Sequence, residues 1–428
     1  MKVCFHTLGC KVNQYETQAM KELFQKNGYS VCDNNGFADV IVINSCSVTA
    51  ESDRKTRQLL RKCRKENQNA VIVLTGCMVQ AFPEKSNALE QADIVIGNKD
   101  FSRITDSVND FLRTNKRIYI YNKHTSGDNY TTPEISDFEE RTRAYVKIED
   151  GCDRFCSYCI IPFARGRVRS KSLDDLKAEA SRLADNGFSE IVLVGINLSA
   201  YGKNEDFNIC DAVETVEKID AIKRIRLGSL EPDHITDDML LRLKKADKFC
   251  PQFHLSLQSG CDETLKRMNR KYDTAFYEDL VRRIRKIFPD CSITTDVMVG
   301  FSGETVEEFE KSLEFVKKIG FARVHIFPYS RRSGTLADTF TDHVPNAEKA
   351  RRAKLMSDIA KTGEREYIKN LMGKEKPVLF ETPEGEFAVG YTEDYIRVKV
   401  KTDKDLIGKI MTVRITDTFD DYCTATVI

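Results

Sequence analysis

The chain of 428 residues is longer than one ordinary domain, so we expect two or three domains. Its 41% hydrophobic and 31% charged residues are typical of soluble globular proteins, and a net charge of zero gives no sign of a nucleic-acid partner. No apolar run reaches membrane-spanning length and the opening MKVCFHTLG lacks the layout of a signal peptide, which predicts a cytoplasmic protein without a membrane partner. In that reducing compartment, fourteen cysteines favour metal or redox chemistry over disulfides.

The first part of the chain alternates apolar runs with helical stretches. The runs KVCFHTL, DVIVINS, VIVLTG and DIVIGN are typical of buried parallel strands. Between the first two, YETQAMKELFQKNGY places its apolar residues on one helical face and ends at Asn27-Gly28. The pattern predicts a doubly wound, flavodoxin-like parallel-sheet domain over residues 1–122. A polar linker without a period, containing Pro133, is predicted over residues 123–140.

Three cysteines follow the carboxyl ends of three of these strands: Cys10, Cys46 and Cys77. In an open parallel sheet, binding sites form outside those ends, so cysteines far apart in sequence are expected to converge there. The strings LGCKVN, NSCSVT and TGCMVQ each put the cysteine after a small residue, in a turn where backbone amides reach sulfur. We therefore favour an iron–sulfur cluster over three ordinary buried cysteines.

The alternation of strands and helices resumes after the linker and then changes character. Six candidate strands predict a partial (β/α)6 barrel over residues 141–368. They are AYVKIED, EIVLVGIN, RIRLGSLEP, FHLSLQSG, TTDVMVGF and RVHIFPYS. The short strands VLFE, EFAVGYT, YIRVKV, KIMTVRITDTF and TATVI follow a charged helical stretch. They predict a small β-barrel of OB-like size over residues 369–428, which makes the chain an α/β multidomain protein.

A second set of cysteines has tight local spacing. Cys152, Cys156 and Cys159 in EDGCDRFCSYCI form the pattern C-x3-C-x2-C. A cubane of four irons normally takes four thiolates, and three with no fourth nearby leave one iron open for a ligand that is not protein. Zinc is the competing metal, but structural zinc sites take four ligands. The spacing therefore favours an iron–sulfur cluster with one open position.

The whole chain resembles the radical S-adenosylmethionine (SAM) methylthiotransferases through eight strings in the family's order. These are GCKVNQYET, NSCSVT, TGCMVQ, GCDRFCSYCIIPFARGRVRS, LVGINLSAYG, SLEP, HLSLQSGCDETLKRMNRKYDT and GFSGET. GCKVNQYE is similar to the subgroup that acts on tRNA carrying N6-threonylcarbamoyladenosine. The isopentenyladenosine subgroup more often shows a GCQMN-like string, and the subgroup that modifies a ribosomal-protein aspartate a Pro-Lys-Asn-like one. Ser302 departs from the family, where we expect proline.

The resemblance implies an N-terminal cluster domain, a radical-SAM barrel and a C-terminal RNA-binding TRAM domain. It implies two 4Fe–4S clusters, one on each cysteine triad, with SAM at the open iron of the second. The implied reaction uses two SAM to add a methylthio group to C2 of threonylcarbamoyladenosine at tRNA position 37, next to the anticodon. The implied partners are the tRNA anticodon stem-loop and a low-potential electron donor such as flavodoxin or ferredoxin; the sulfur donor stays unknown. We predict no catalytic side chain, because the cofactors carry the chemistry.

SAM is expected at the carboxyl ends of the barrel strands. The candidates to bind it are Gly195 and Asn197 in VGIN, Glu231 in SLEP and Gln258 in SLQSG. Glycine lets the backbone approach the SAM amino group, and Glu231 accepts hydrogen bonds from ribose hydroxyls. Two alternatives stay open: Asn197 caps a helix, and Glu231 is a turn carboxylate.

RNA contacts are predicted on two basic stretches. Residues 53–65 carry seven positive charges and one negative and follow the Cys46 loop. A charge run is usually a solvated helix face, but this excess beside a predicted cluster favours phosphate contacts through Arg57 and Arg61, which share one helical face. Arg165 and Arg167 are predicted to bind RNA beside the other cluster.

The C-terminal barrel supports RNA binding less. It carries nine Lys or Arg and eleven Asp or Glu from residue 369 onward, so only a local face such as Arg397, Lys399 and Lys401 is basic. Three other functions remain open. Two keep the enzyme, with isopentenyladenosine in tRNA or a ribosomal-protein aspartate as substrate, although GCKVN argues against the latter. The third is a non-catalytic iron–sulfur or zinc scaffold that binds RNA, which three ligands per site argue against.

Overall fold

The computed structural model describes residues 1–32, 37–131, 135–138 and 142–428. The N-terminal part is a parallel sheet with helices around it. Its strands are β1 Lys2–Thr7, β2 Ser30–Val31, β3 Val40–Ser45, β4 Val71–Gly76, β5 Ile94–Ile96 and β6 Ile118–Ile120. Its helices are α1 Lys11–Lys26, α2 Ala50–Glu66, α3 Cys77–Ala81, α4 Pro83–Asn87 and α5 Ile104–Thr114.

The order of strands in this sheet is β2-β1-β3-β4-β5-β6. This is the flavodoxin-like order 2-1-3-4-5 with a sixth strand added at one edge, and the chain reverses direction across the sheet between β1 and β3. Every residue of β3 and β4 is buried, which is why these strands are apolar throughout. The predicted parallel-sheet domain is confirmed.

The central part is an open barrel of parallel strands. Strands and a small antiparallel pair run β7 Arg143–Lys147, β8 Glu149–Asp150, β9 Arg169–Ser170, β10 Glu190–Val194, β11 Arg224–Leu227, β12 Ser229–Leu230, β13 Gln252–Leu255, β14 Ser292–Val299 and β15 Arg323–Pro328. Helices are α6 Ile161–Arg165, α7 Leu173–Asp185, α8 Ile209–Glu217, α9 Asp237–Lys245, α10 Asp262–Arg267, α11 Thr274–Ile287, α12 Val306–Ile319 and α13 Asn346–Lys369. Short 3₁₀ helices cover Asn98–Arg103, Leu198–Ala200, Pro232–His234 and Leu336–Thr339.

The barrel wall consists of two parallel sheets, β11-β10-β7 and β12-β13-β14-β15. Only Gly228 separates β11 from β12, so one extended stretch of chain passes from the first sheet to the second. The wall therefore has six strand positions, with β7 and β15 at its two edges. The predicted partial (β/α)6 barrel is confirmed.

The C-terminal part is a closed barrel of five strands in the order β16-β17-β18-β20-β19. The strands are β16 Glu375–Glu384, β17 Phe387–Thr392, β18 Arg397–Lys401, β19 Ile410–Thr418 and β20 Cys423–Val427. Closure leaves no free strand edge, and the barrel has a core of its own that includes Val378, Phe380 and Val398. The predicted small β-barrel is confirmed. No helix in the described part of the chain is long and apolar enough to cross a bilayer.

Part of the predicted linker lies against both neighbouring domains. Ile135 and Phe138 are buried, and the Glu22 carboxylate of α1 accepts hydrogen bonds from the backbone N–H (2.7 Å) and hydroxyl (2.9 Å) of Ser136. The Tyr130 hydroxyl donates to the carbonyl of Lys147 on β7. Residues 132–134 and 139–140 of the predicted linker lie outside the described residues. This stretch therefore attaches the N-terminal sheet to the barrel by specific contacts.

Candidate active site

The structure brings the three N-terminal cysteines together at the carboxyl edge of the first sheet. The Asn13 side-chain Oδ1 lies 3.9 Å from Sγ of Cys10 and 3.8 Å from Sγ of Cys77. A Cβ atom on Gly9 would lie 3.0 Å from Cβ of Cys46, so Cys46 packs against the Cys10 loop. The site lies at the carboxyl ends of the paired strands β1 and β3, where the order of strands reverses, the position at which sheets of this topology bind ligands.

Glycine conformation explains how two of these cysteines reach helix starts. Gly9 has φ +120° and Gly76 has φ +97°, a region that residues with a side chain rarely adopt. The chain therefore turns sharply after β1 and β4, and Cys10 precedes α1 while Cys77 opens α3. Burial raises the pKa of Cys77 to about 12, so metal binding must displace a proton from its thiol.

The second triad lies in the loop between β8 and α6. The Cys159 N–H donates to the Cys156 carbonyl (2.9 Å), and the Cys152 N–H donates to the Gly166 carbonyl (3.0 Å). Burial raises the pKa of Cys152 to about 12, and the neighbouring charge of Cys156 adds to the shift. Within the described ranges, no three His, Cys, Asp or Glu side chains surround a single point as ligands of one metal ion do.

Arg165 is buried, which corrects its predicted role as an RNA contact. Its side chain is 1% exposed. Its Nε and Nη2 lie 3.3 and 3.2 Å from Sγ of Cys77, and Nη2 donates to Glu16 (2.8 Å) and Asn13 (2.9 Å). A buried guanidinium with a carboxylate partner is unavailable to phosphate. Since Arg165 follows Cys159 by six residues, it connects the two triads.

The SAM candidates Asn197 and Gly195 lie beside a carboxylate that the sequence did not single out. The Asn197 N–H donates to Glu149 Oε2 (2.7 Å), and a Cβ on Gly195 would lie 2.7 Å from the same oxygen. Glu149 Oε1 and Asn197 Oδ1 are buried, with no hydrogen-bond partner among the described residues. Burial raises the pKa of Glu149 well above its usual range. Glu149 precedes Cys152 by three residues in the chain. The unpaired oxygens of Glu149 and Asn197 fit a polar ligand such as SAM.

The structure gives Asn197 no capping role, and it gives the Glu231 carboxylate an arginine partner. The Asn197 side chain makes no capping hydrogen bond to the 3₁₀ helix that follows it. The Glu231 carboxylate accepts a hydrogen bond from Arg270 Nη2, and Nη1 of the same arginine lies 3.3 Å from Sγ of Cys156. Arg270 thus connects the Glu231 carboxylate to a triad thiol. In the sequence, the basic string RMNRK, which contains Arg270, is the signal that could have pointed to this residue.

Gln258 lies at the carboxyl end of the wall in a strained backbone conformation. Its φ is +67°, an uncommon value for a residue with a side chain, and such residues cluster at functional sites. Its N–H donates to the Asp296 carbonyl (2.8 Å) and its carbonyl accepts from the Met298 N–H (2.8 Å). These bonds fix Gln258 against β14, with its side chain half-buried.

Arg57 and Arg61 lie on α2 with no ion pair or hydrogen bond to any described residue. Other members of the basic run are occupied, since Arg64 pairs with Asp93 (2.5 Å) and Arg54 with Glu51 (2.5 Å). The helix begins against the far edge of the barrel wall, where the Ala50 N–H donates to the Ser330 hydroxyl (2.9 Å). The first turn of α2 therefore lies at the carboxyl end of the barrel, and Arg57 and Arg61 follow further along the helix.

Arg167 is exposed beside the second triad. Its guanidinium lies 5.0 Å from the centre of the Phe155 ring and 3.4 Å from Asp153. Phe155 and Phe163 are both exposed and contact edge to face at 6.1 Å. A cation with exposed rings is the combination that binds single-stranded RNA bases. On the C-terminal barrel, Arg397, Lys399 and Lys401 all pair with glutamates, as Arg167 does with Asp153.

The radical SAM superfamily profile matches residues 146–316, and that of "Uncharacterized protein family UPF0004" matches residues 2–97. Among solved structures, the radical SAM methyltransferase TsrM of Kitasatospora setae superposes with a TM-score of 0.52 at 14% identity, over 76% of this chain and 74% of that one. The cobalamin-dependent SAM radical enzyme OxsB gives 0.53 at 11% identity, over 83% and 56%. The fold is therefore that of a radical SAM protein.

Curated relatives match nearly the whole chain. The threonylcarbamoyladenosine tRNA methylthiotransferase MtaB of Bacillus subtilis (strain 168) is 38% identical over 96% of this chain and 93% of its own length. The Thermotoga maritima protein of the same name is 38% identical over 96% and 94%. A tRNA-2-methylthio-N(6)-dimethylallyladenosine synthase of Clostridium botulinum is 33% identical over 96% and 93%. The chain belongs to the radical SAM methylthiotransferase family.

Proposed function

We propose that the protein adds a methylthio group to C2 of N6-threonylcarbamoyladenosine at tRNA position 37, next to the anticodon. The relatives named for this activity are more similar to the chain than the dimethylallyladenosine synthase, at 38% against 33% identity. The observation that carries the proposal is the contact of Arg165 with Cys77. It joins the loop of the second triad to a cysteine of the first, as a reaction that uses both clusters requires.

Each triad is proposed to hold one 4Fe–4S cluster, and the second also SAM. When bound, these cofactors supply the radical and sulfur chemistry. The protein holds and orients them. Glu149 and Asn197 offer unpaired oxygens to SAM, and Glu231 is held in place by Arg270. Gln258 is proposed as a further SAM contact.

The proposed RNA partner is the tRNA anticodon stem-loop. Arg57, Arg61 and Arg167 are its proposed phosphate or base contacts, because Arg61 and Arg167 are exposed and Arg57 is partly exposed. We also propose a low-potential electron donor such as flavodoxin or ferredoxin, a cytoplasmic location, and domain boundaries at residues 122, 140 and 368. α13 ends at Lys369, which supports the last boundary.

Mass analysis of tRNA nucleosides tests the function directly. Cells lacking the gene, and the same cells complemented with wild-type or C46A protein, are compared. We expect the methylthio form of threonylcarbamoyladenosine to vanish without the gene, to return with wild type and to stay absent with C46A. Loss of methylthio-isopentenyladenosine instead would assign the other tRNA substrate, and unchanged nucleosides would favour a non-catalytic protein.

A further inference from the structure

Lys11 is a half-buried cation that no described group neutralises. It follows Cys10 as the first residue of α1, and its ammonium lies 6.0 Å from the centre of the Tyr145 ring on β7. It makes no ion pair or hydrogen bond with the described residues. The carboxylate in reach of its charge, Glu190, is already paired with Arg226 at 3.1 Å. A cation removed from water in this way favours an anionic ligand.

The barrel wall that faces Lys11 is polar. On β13, Nδ1 of His254 is hydrogen-bonded to the Thr294 hydroxyl (2.9 Å). Its Nε2 lies 3.3 Å from Oδ2 of Asp296 on β14. The His325 ring on β15 lies 5.8 Å from that of His254. The Lys11 ammonium lies near Tyr145 on β7, and its charge, like those of Asp296, His254 and Arg323, acts on His325, which together put Lys11 at the same lumen. Such a lumen suits a polar substrate group.

The two substituents named by the relatives differ in chemistry. A threonylcarbamoyl group carries a carboxylate, a hydroxyl and a urea-like linkage, whereas a dimethylallyl group is a hydrocarbon. An unpaired ammonium and a wall of imidazole and carboxylate groups favour the first. Burying a hydrocarbon against them would leave the polar groups without partners.

We propose that Lys11 binds the carboxylate of the threonylcarbamoyl group and thereby determines which modified adenosine the enzyme accepts. This inference rests on the proposed function. Lys11 directly follows Cys10 in the chain, so the residue proposed to bind the substituent adjoins the site proposed for the N-terminal cluster. The N-terminal domain thus contributes to substrate choice as well as to chemistry.

Binding of two RNAs to the cluster-loaded enzyme tests the proposal. One anticodon stem-loop carries threonylcarbamoyladenosine and the other unmodified adenosine. We expect K11Q to lose about tenfold or more of the preference for the modified RNA, the effect of one charge-assisted hydrogen bond, and K11R to retain most of it. K26Q, at an exposed lysine in the last turn of the same helix, should retain all of it.

An RNA whose threonylcarbamoyl group is a methyl ester completes the design. The ester should bind wild type about as weakly as the free acid binds K11Q, and it should lose nothing further on K11Q, because both changes remove the same contact. An unchanged preference in K11Q would overturn the proposal. So would an equal loss for both RNAs, which would mean that Lys11 supports the fold or the cluster. A wild-type enzyme without any preference would overturn the proposed function as well.

Discussion

At the scale of single residues, Arg165 is positioned to influence the cluster proposed for the first triad. Its guanidinium donates toward Sγ of Cys77 while Glu16 and Asn13 fix its orientation. A positively charged donor on a ligating sulfur favours the reduced state, and neighbours of this kind typically change metal affinity or activity by roughly 10- to 100-fold. The sequence predicted an RNA contact for Arg165 because it lies in a basic stretch. Its real partners, Cys77, Asn13 and Glu16, are far away in the chain and could not be foreseen.

The first prediction concerns that contact. R165M is expected to lower the midpoint potential of the N-terminal cluster, because the thiolate loses a cationic donor, and R165K should have an intermediate potential. A redox titration followed by electron paramagnetic resonance measures this. R113M, at a 78% exposed arginine of the same domain, serves as control. Equal potentials in R165M and wild type would leave Arg165 a purely structural link.

The two triads are expected to separate functionally. C156A should abolish reductive cleavage of SAM to 5′-deoxyadenosine, because no neighbouring cysteine replaces the lost ligand. C46A should keep this cleavage and lose the methylthio product, since Cys46 belongs to the other triad. Both products are quantified by mass spectrometry in anaerobic assays. If C46A lost SAM cleavage as fully as C156A, with the barrel cluster intact, the division of labour would be wrong.

At the scale of elements, α2 combines anchored and free cations. Its first turn is held to the barrel, where Arg332 Nη2 donates to Asp53 (2.8 Å) and to the Ser47 hydroxyl (3.0 Å). Further along, Arg57 and Arg61 occupy one helical face without partners among the described residues. The helix is therefore fixed along its buried face, where Thr56, Leu60 and Cys63 lie, and the proposed RNA contact falls on its outer face.

Charge reversal tests this helix. R57E/R61E should weaken tRNA binding and reduce the log–log salt slope by roughly one unit for each lost phosphate contact. Uncoupled SAM cleavage without RNA should stay unchanged. K317E/K361E, two exposed lysines on α12 and α13, makes the same change of charge elsewhere. Equal affinities and slopes for the two double variants would mean that α2 is only a solvated helix face.

The elements also show where sequence reasoning works. Strands β3 and β4 were predictable because strands buried on both faces are continuous apolar runs. The second triad was predictable because its three ligands are close in sequence. The two-residue β2 and the three-residue β6 carry too little pattern. Contacts such as Arg332 with Asp53 join residues 279 apart, and only the folded chain reveals them.

At the scale of the whole molecule, the two flanking domains lie at opposite ends of the barrel. The N-terminal sheet contacts its carboxyl end, through Arg165 and Arg332. The C-terminal barrel contacts its amino end, where Arg226 Nη1 donates to the Glu393 carbonyl (2.7 Å) and Arg224 Nη2 to the Pro377 carbonyl (2.5 Å). A proposed RNA ligand of the C-terminal barrel must therefore extend along the outside of the enzyme to reach the clusters.

Glu190 is a buried carboxylate that pairs with the arginines joining the central barrel to the C-terminal barrel. It lies 3.1 Å from Arg226, 3.5 Å from Arg224 and 3.9 Å from Arg143. E190Q would leave Arg226 and Arg224 without their buried counter-ion, whereas Arg143 keeps Glu381 at 2.7 Å. Breaking a buried ion pair typically costs about 3–5 kcal/mol. We expect a lower Tm in the metal-free protein and faster proteolytic release of the region beyond residue 369. Conversely, E190D, which keeps the charge, should lose less stability.

The same carboxylate predicts a pH dependence. Burial alone would raise the pKa of Glu190, but the charges of Arg226, Arg143 and Arg224 hold it below the ordinary value. A carboxylate with a lowered pKa stabilises the fold above its unfolded pKa of about 4.3, and that stabilisation is lost as the pH falls through the folded value. Wild-type Tm should therefore approach that of E190Q below about pH 4, while the gap is full at pH 7. A gap independent of pH would show that the glutamate contributes by packing and not by charge.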